Sequence, residues 1–425
     1  MEEVLMGVPI RLLVVTQYFW PENFRINDLV GELVQRGYQV TVITGVPNYP
    51  DGQVFPAFLS DSRHFDHYEG AKVYRVPMLP RGKGGLRLLL NYISFALSAS
   101  TVGIWKLRGQ QYDAIFAYEP SPITVGLPAV ATRFVKSAPL LFWVQDLWPE
   151  TLKAVGVVKS PMLLSAVGKL VAFIYKRCDV ILAQSKSFIP QILKYAPTNK
   201  RVLYFPNWSD KVLTSDELIP APEVPSDPSC FSVMFAGNIG DAQDFPAILA
   251  AAETLKGHAV RWLIVGDGRM ASWVAEEIKK RGLQDQVLML GRFPSERMSS
   301  FFKHADALLV SLKDEPIFAM TIPSKLQTYF SAGIPVLAML NGEGAHVVRE
   351  SGSGITCRAG DHEGLAKAVL QLSQTTPQER QEMGRKGREL SEREFARDTL
   401  ISCLEGLIGG LCNGAAKSTD QRSKS

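Results

Sequence analysis

Two successive series of short apolar runs, each alternating with helix-length stretches, constrain this chain more than any other feature. The first series is Arg11–Thr16, Gln39–Thr44, Lys72–Val76, Ala114–Tyr118, Leu140–Val144, Val180–Gln184 and Val202–Phe205. These runs are four to six residues long, rich in Val, Ile, Leu or aromatics, and do not alternate cleanly. Strands of a parallel sheet, buried on both faces, read this way. Helix candidates such as Arg25–Arg36, Ser121–Lys136 and Met162–Lys176 fall between them. The alternation stops at Ser209–Ser229, where Pro220, Pro222, Pro225 and Pro228 mark an interdomain linker. It resumes with Phe231–Ala236, Val260–Val265, Gln286–Leu290, Asp306–Val310, Pro335–Met339 and Ile355–Arg358. Two βα series of similar size predict an α/β chain of two doubly wound, Rossmann-like domains facing each other across a cleft. The boundaries fall at residues 1–208, a linker at 209–229, and a second domain at 230–394. The small polar stretch 413–425 reads as a disordered tail.

Composition narrows the class. With 46% hydrophobic and 21% charged residues, bulk disorder and a polytopic membrane protein are excluded. The net charge of +4 conceals a split: residues 1–208 hold 22 Lys/Arg against 14 Asp/Glu, and the remainder holds 24 against 28. Such asymmetry predicts that the first half meets something anionic. Five scattered cysteines without a CxxC fit a reducing cytoplasm rather than a disulfide framework or zinc site. No secretory signal pattern is evident. Leu88–Trp105 carries no formal charge, yet Asn91, Ser94, Ser98 and Thr101 share one helical stripe, which argues against a span. No HExxH, GxSxG, GxGxxG or P-loop pattern occurs, and no basic-aromatic array of nucleic-acid character. The expectation is therefore no metal, no cofactor and no nucleic acid.

Chemistry-bearing residues gather where strands end, which is where open parallel sheets bind ligands. After the first strand, Gln17–Arg25 sets three aromatics beside Glu22, Asn23 and Arg25. These polar groups suit a substrate site, although Asn23 equally suits a helix cap. Asn48 and Tyr49 lie in the loop after the second strand, shaped by two prolines and two glycines. Asp146, beside Trp148 and ahead of Glu150, ends another strand and suits a substrate contact and a helix cap equally. In the second half, Gly237-Asn238-Ile239-Gly240 and Gly266-Asp267-Gly268 follow strands, and such glycines let phosphates approach backbone N–H groups. Pro323-Ser324-Lys325 reads as a helix start with Ser324 as the cap and Lys325 in the first turn. A lysine there opposes the helix dipole by about 0.3–1 kcal/mol unless an anion binds. Lys325 is thus a diphosphate ligand candidate.

Taken together, QYFWPENFRINDL (17–29), TGVPNYPDG (44–52), VQDLWPE (144–150), PNW (206–208), FAGNIGDAQ (235–243), VGDG (265–268) and IPSKLQTYFSAGIPV (322–336) resemble retaining glycosyltransferases of family 4, which have the GT-B fold. The resemblance spans roughly residues 10–410 and is strongest to bacterial O-antigen, capsule and exopolysaccharide transferases, including N-acetyl-L-fucosamine transferases. It implies a nucleotide-sugar donor, UDP-linked, in the C-terminal domain and a lipid-pyrophosphate-linked glycan acceptor in the N-terminal one. It also implies a final helix, 395–412, that crosses back to the N-terminal domain. Donor contacts then fall on Asn238, Gly240, Arg292, Phe293, Glu315, Ser324, Lys325 and Thr328. Acceptor contacts fall on Asn23, Arg25, Asn48 and Tyr49, and the catalytic roles on Asp146, Lys325 and Glu22. Two departures stand out. Met320 and Thr328 occupy the positions of the family's paired glutamates, and Asn238 and Gln243 stand where many members carry basic residues. A nucleotide-sugar epimerase and a catalytically silent nucleotide-sugar-binding subunit are the competing readings. Seven basic residues and no acidic one between Ala71 and Tyr112 further imply peripheral attachment to an anionic membrane at its cytoplasmic face.

Overall fold

The computed structural model describes residues 9–82, 84–154, 160–210, 212 and 218–422. Its contacts divide the chain into two units, residues 1–205 with 401–425, and residues 206–400.

The first unit is an eight-stranded sheet in the order β3-β4-β2-β1-β5-β6-β7-β8. The strands are β1 (Arg11–Val15), β2 (Gln39–Thr44), β3 (His67–Tyr68), β4 (Ala71–Arg75), β5 (Ala114–Glu119), β6 (Leu140–Val144), β7 (Val180–Ala183) and β8 (Arg201–Tyr204). All neighbours pair in parallel except β3, a two-residue antiparallel edge too short to read from sequence. The central strands β5, β6 and β7 are buried at every residue, as their unbroken apolar runs require. The direction of winding reverses between β1 and β5, so their carboxyl ends flank the switch point of the sheet. A C-terminal helix, Arg397–Arg422, contributes Ile401, Leu404 and Ile408 to buried positions. Arg36 donates to Ser402 Oγ and Glu405 Oε2 of that helix at 2.9 and 2.8 Å. The helix runs beyond Asn413, where a disordered tail was expected, because neither proline nor a capping motif interrupts it.

The second unit carries six parallel strands in the order β11-β10-β9-β12-β13-β14. They are β9 (Phe231–Ala236), β10 (Val260–Val265), β11 (Val287–Gly291), β12 (Ala307–Ser311), β13 (Val336–Met339) and β14 (Gly354–Cys357). Apolar clusters line both faces of this sheet, one around Phe235, Phe245 and Trp262, the other around Phe301, Tyr329 and Phe330. The segment read as an interdomain linker packs on the second unit where it is described. Ala221 and Val224 are buried, Arg297 makes a two-pronged ion pair with Glu223, and Arg261 donates to the Pro225 carbonyl at 2.5 Å. Its prolines set an extended path, and its small apolar side chains fill the second core.

The apolar run expected over Leu88–Trp105 is a helical stretch, Gly85–Lys106, with a π-helical turn at Ala99–Gly103. It has the length and apolarity of a membrane span. Tyr92, Phe95 and Ala96 are buried beside Asn91, and the opposite face is apolar although exposed. Asn91 is fully buried and bonds Gln17 and the Leu79 carbonyl, whereas Leu86, Leu89, Leu90, Ile93, Leu97 and Trp105 are exposed.

Trp143 sits at the centre of the first core, with Nε1 donating to the Phe205 carbonyl at 3.0 Å and Phe116, Tyr118 and Phe205 around its ring. Trp143→Ala should cost the first unit about 3–5 kcal/mol, through lost transfer energy and the cavity left behind. Urea unfolding monitors this, and a loss below about 1 kcal/mol would contradict the packing described.

Candidate functional site

In the second unit the loops after β9 and β10 lie against the first turn of the helix Ser324–Ala332. Gly266, at φ +145°, is so close to the first loop that a Cβ there would fall 1.9 Å from the Gly237 carbonyl oxygen. Gly237, at φ +136°, lies under Lys325, and a Cβ on it would fall 2.3 Å from Lys325 Cε. Only glycine fits either position. The lysine stem is thereby laid across the loop, with Nζ 3.8 Å from the centroid of the Phe235 ring. Among the described residues no carboxylate or carbonyl pairs with this ammonium group. Burial without a counter-ion pushes its pKa down to about 7.

Other expected donor residues surround this lysine unevenly. Ser324 is exposed and is the first helical residue. Pro323 is the N-cap, and no side chain caps this end, so the expected Ser324 cap is not made. The helix N–H groups beside Lys325 therefore lack a protein cap as well. Asn238 is exposed, next to Gly237. The Gly240 N–H, expected to meet phosphate, instead donates to Gln243 Oε1 at 3.1 Å. That bond also explains why Gln243 stands where a cation was expected: it closes the loop on itself. Thr328, one turn on from Lys325, donates to Asp210 Oδ2 at 3.0 Å. A carboxylate thus stands beside the position where the family's second glutamate is missing, supplied from outside the motif. Glu315 precedes the short helix Pro316–Ala319, and its backbone carbonyl accepts from Phe318 and Ala319. Its carboxylate makes no described contact with Lys325. Arg292 is exposed after β11, while Phe293 stacks on Phe301 at 4.6 Å beneath Arg297.

In the first unit Glu22 is a structural anchor. Its Oε2 accepts from Phe19 N–H, and its Oε1 accepts from both Asn48 and Tyr49 N–H at 2.8 and 2.7 Å. Burial raises its pKa to about 7 despite these bonds and the nearby Arg75. Arg75 donates to the carbonyls of Gly45 and Trp20, so the pair ties the loops after β1 and β2 together. The catalytic role expected for Glu22 gives way to this one, because both oxygens are taken by backbone. Asn48 is likewise committed: Nδ2 donates to the Val46 carbonyl and Oδ1 accepts from Arg81 N–H. Tyr49 packs against Tyr18 and Phe24 with Arg81 over its ring, Asn23 is exposed, and Arg25 faces Asp28 at 3.5 Å.

Asp146 follows β6, half-buried, and accepts from Thr151 Oγ1 at 3.1 Å. Burial pushes its carboxyl up to about 7, with the Thr151 and Ser121 hydroxyls opposing. Glu119 ends the neighbouring β5 with no exposed surface. It escaped the sequence reading although it carries the same signal as Asp146, a carboxylate at a strand end followed by Pro-Ser-Pro. Asp210 carried no such signal. Among the described residues no group of His, Cys, Asp and Glu side chains is placed to hold a metal ion.

Residues 223–390 match the family of glycosyl transferases group 1, and residues 23–208 match the glycosyl transferase 4-like domain. Over 344 residues the chain is 25% identical to the putative colanic acid biosynthesis glycosyl transferase WcaI of Escherichia coli K12, covering 76% of this chain and 81% of that one. Sucrose-phosphate synthase from Thermosynechococcus elongatus superimposes with a TM-score of 0.70 at 15% identity, covering 95% of this chain and all of that one. Anabaena Alr3699/HepE, solved in complex with UDP, gives 0.68 at 13% identity, with 95% of this chain and 100% of that chain covered. A 4-like domain followed by a group 1 domain on two parallel α/β sheets makes this chain a group 1 glycosyltransferase of the GT-B fold.

Proposed function

We propose that this glycosyltransferase moves a sugar, with retention of configuration, from a UDP-linked donor to a lipid-pyrophosphate-linked saccharide in the building of a cell-surface polysaccharide. The observation that carries the reading is Lys325, a half-buried ammonium group with no counter-ion among the described residues, held over a glycine loop at the carboxyl ends of β9 and β10. A diphosphate supplies the missing charge. The uncapped N-terminus of helix Ser324–Ala332 adds N–H donors to the same leaving group. As the sugar–oxygen bond breaks, negative charge grows on the diphosphate, and the ammonium group stabilises that change. UDP bound to the Anabaena structure and the colanic acid assignment of the Escherichia coli relative support the donor and the pathway class. No tightly held divalent metal is required, since the cation and helix end neutralise the diphosphate. A silent sugar-nucleotide-binding subunit is the alternative that Met320 and Thr328 favour. A panel of UDP- and other nucleotide sugars, N-acetyl-L-fucosamine donors among them, with lipid-pyrophosphate acceptors and mass spectrometry of products separates the two. Acceptor-dependent nucleotide release that persists in EDTA is expected; binding without transfer, or transfer abolished by EDTA and restored by magnesium, would contradict it.

Lys325 also sets a pH dependence. In the free protein it is protonated below about pH 7 and neutral above, whereas a bound diphosphate holds the proton. UDP affinity measured by calorimetry should therefore fall above about pH 7, approaching tenfold per pH unit. Lys325→Ala should lose about 1.5–3 kcal/mol of UDP binding at pH 6.5 and flatten this profile. Normal affinity in the variant would remove Lys325 from the site.

The exposed apolar face of Gly85–Lys106 gives the first unit a means of lying on a membrane. Leu86, Leu89, Leu90, Ile93, Leu97 and Trp105 enter the interface in this proposal, flanked by Arg81, Arg87 and Arg108. Lys83 and Lys159, counted in the basic surroundings from sequence, lie outside the described residues. Each cation near an anionic surface contributes about 1 kcal/mol, weakened by salt. Co-sedimentation with anionic vesicles should fall in a Leu90→Asp/Leu97→Asp variant and in an Arg81→Glu/Arg87→Glu variant. Binding indifferent to both changes and to salt would refute the attachment.

A further inference from the structure

The first unit holds two carboxyl groups side by side with no cation between them. Glu119 closes β5, and Asp146 follows the adjacent β6, where Glu119 pairs in register with Val144 and the Glu119 carbonyl accepts from Gln145 N–H at 3.0 Å. Glu119 is fully buried, and neither of its carboxylate oxygens has a hydrogen-bond partner of normal geometry. The N–H groups of Gln145 and Asp146 are directed at it, and the Asp146 carboxyl is the charge that acts on it most. The remaining groups facing the pair are hydroxyls: Tyr118 and Tyr175 on the Glu119 side, and Ser121, Thr151 and Tyr92 on the Asp146 side. Glu150, bonded by the Tyr195 hydroxyl, is a further carboxylate nearby. Among the described residues neither Glu119 nor Asp146 forms an ion pair. Ser121, between the two strand ends, sits at φ +130°, a conformation that non-glycine residues rarely keep outside functional sites.

A fully buried carboxyl beside a half-buried one, with no counter-ion, disfavours ionising both, because like charges repel at low dielectric and Glu119 is not solvated. Retaining such a pair costs fold stability, and its place at the carboxyl ends of two central strands is where α/β sheets meet ligands. We propose that Glu119 and Asp146 share one proton and that Glu119, out of reach of any substrate, is the positioning residue that makes Asp146 a proton acceptor for the acceptor hydroxyl. The inference rests on the transferase reading above and names the role of its first unit. In the step, the hydroxyl oxygen forms its bond to the anomeric carbon while the bond from that carbon to the diphosphate oxygen breaks. The electron pair leaves with the diphosphate. The hydroxyl proton passes to the ionised member of the pair, which then holds two protons and returns one to water before the next turnover. A base that titrates near neutrality suits this task better than an ordinary carboxylate, which holds a proton too weakly.

Two measurements test the pair separately from the reaction. Infrared difference titration of the wild type against Asp146→Asn and against Glu119→Gln should show a protonated carboxyl component persisting to about pH 7 that each substitution removes or shifts, over the component that Glu22 contributes in all three proteins. This readout needs no substrate, so it stands even if the transferase reading fails. With an active donor and acceptor in hand, Glu119→Gln should move the acid limb of kcat/KM to higher pH, since Asp146 loses the protonated carboxyl that shares its proton and stabilises its ionised form. UDP affinity should be unchanged, because Glu119 touches no donor group. Absence of that component from the difference spectra overturns the shared proton. An acid limb that stays in place in a folded Glu119→Gln enzyme overturns the role of Glu119. Should that variant not fold, the wild-type and Asp146→Asn spectra decide.

Discussion

A parallel sheet covered on both faces leaves a chain little freedom in where to put its polar chemistry. β5, β6 and β7 in the first unit and β9, β10 and β12 in the second are buried along their whole length. An ionisable side chain within them needs a partner to offset its desolvation, as Arg261 in β10 finds in Ser232 Oγ and the Pro225 carbonyl. Polar groups therefore collect at strand ends, and the carboxyl ends face the dipoles of the helices that follow. Glu22, Glu119 and Asp146 in one unit and Lys325 in the other obey this rule. What distinguishes them is compensation. Glu22 is answered by three backbone donors and by Arg75. Among the described residues Lys325 has no counter-ion, and Glu119 and Asp146 have each other, hydroxyls and the N–H groups of Gln145 and Asp146 but no cation. The uncompensated groups are those to which the reaction is assigned.

The fold was legible because a parallel strand writes its burial directly into its residues. Gln39–Thr44, Leu140–Val144, Phe231–Ala236 and Val260–Val265 are strands over the residues their apolar runs marked. At Leu88–Trp105 the polar stripe through Asn91 reads as an argument against a span, but its first member faces inward. Asn91 is satisfied internally by Gln17 and the Leu79 carbonyl, and the apolar side is outermost. At 209–229 the prolines mark a linker, and the packing of its described residues on the second unit is what their pattern does not show.

The site was legible in position more than in role. Lys325 drew notice because a cation in a first helical turn demands an explanation, and the structure lays it, half-buried, over Gly237. Glu22 and Asn48 stood out as polar residues in the right loops, yet their bonds go to backbone, which no sequence pattern reveals. The missing glutamate at Thr328 acquires a carboxylate neighbour in Asp210, which lies far away along the chain. Proximity across that separation depends on the path of the segment before β9, and local spacing holds no record of it.

The central claim is that Lys325 meets the diphosphate of the donor. A crystal structure of the protein with UDP tests it most directly. The account predicts diphosphate oxygens within hydrogen-bond distance of Lys325 Nζ and of the first N–H groups of Ser324–Ala332, above the Gly237 loop. A diphosphate held elsewhere, with Lys325 still lying unpartnered on Phe235, would contradict it.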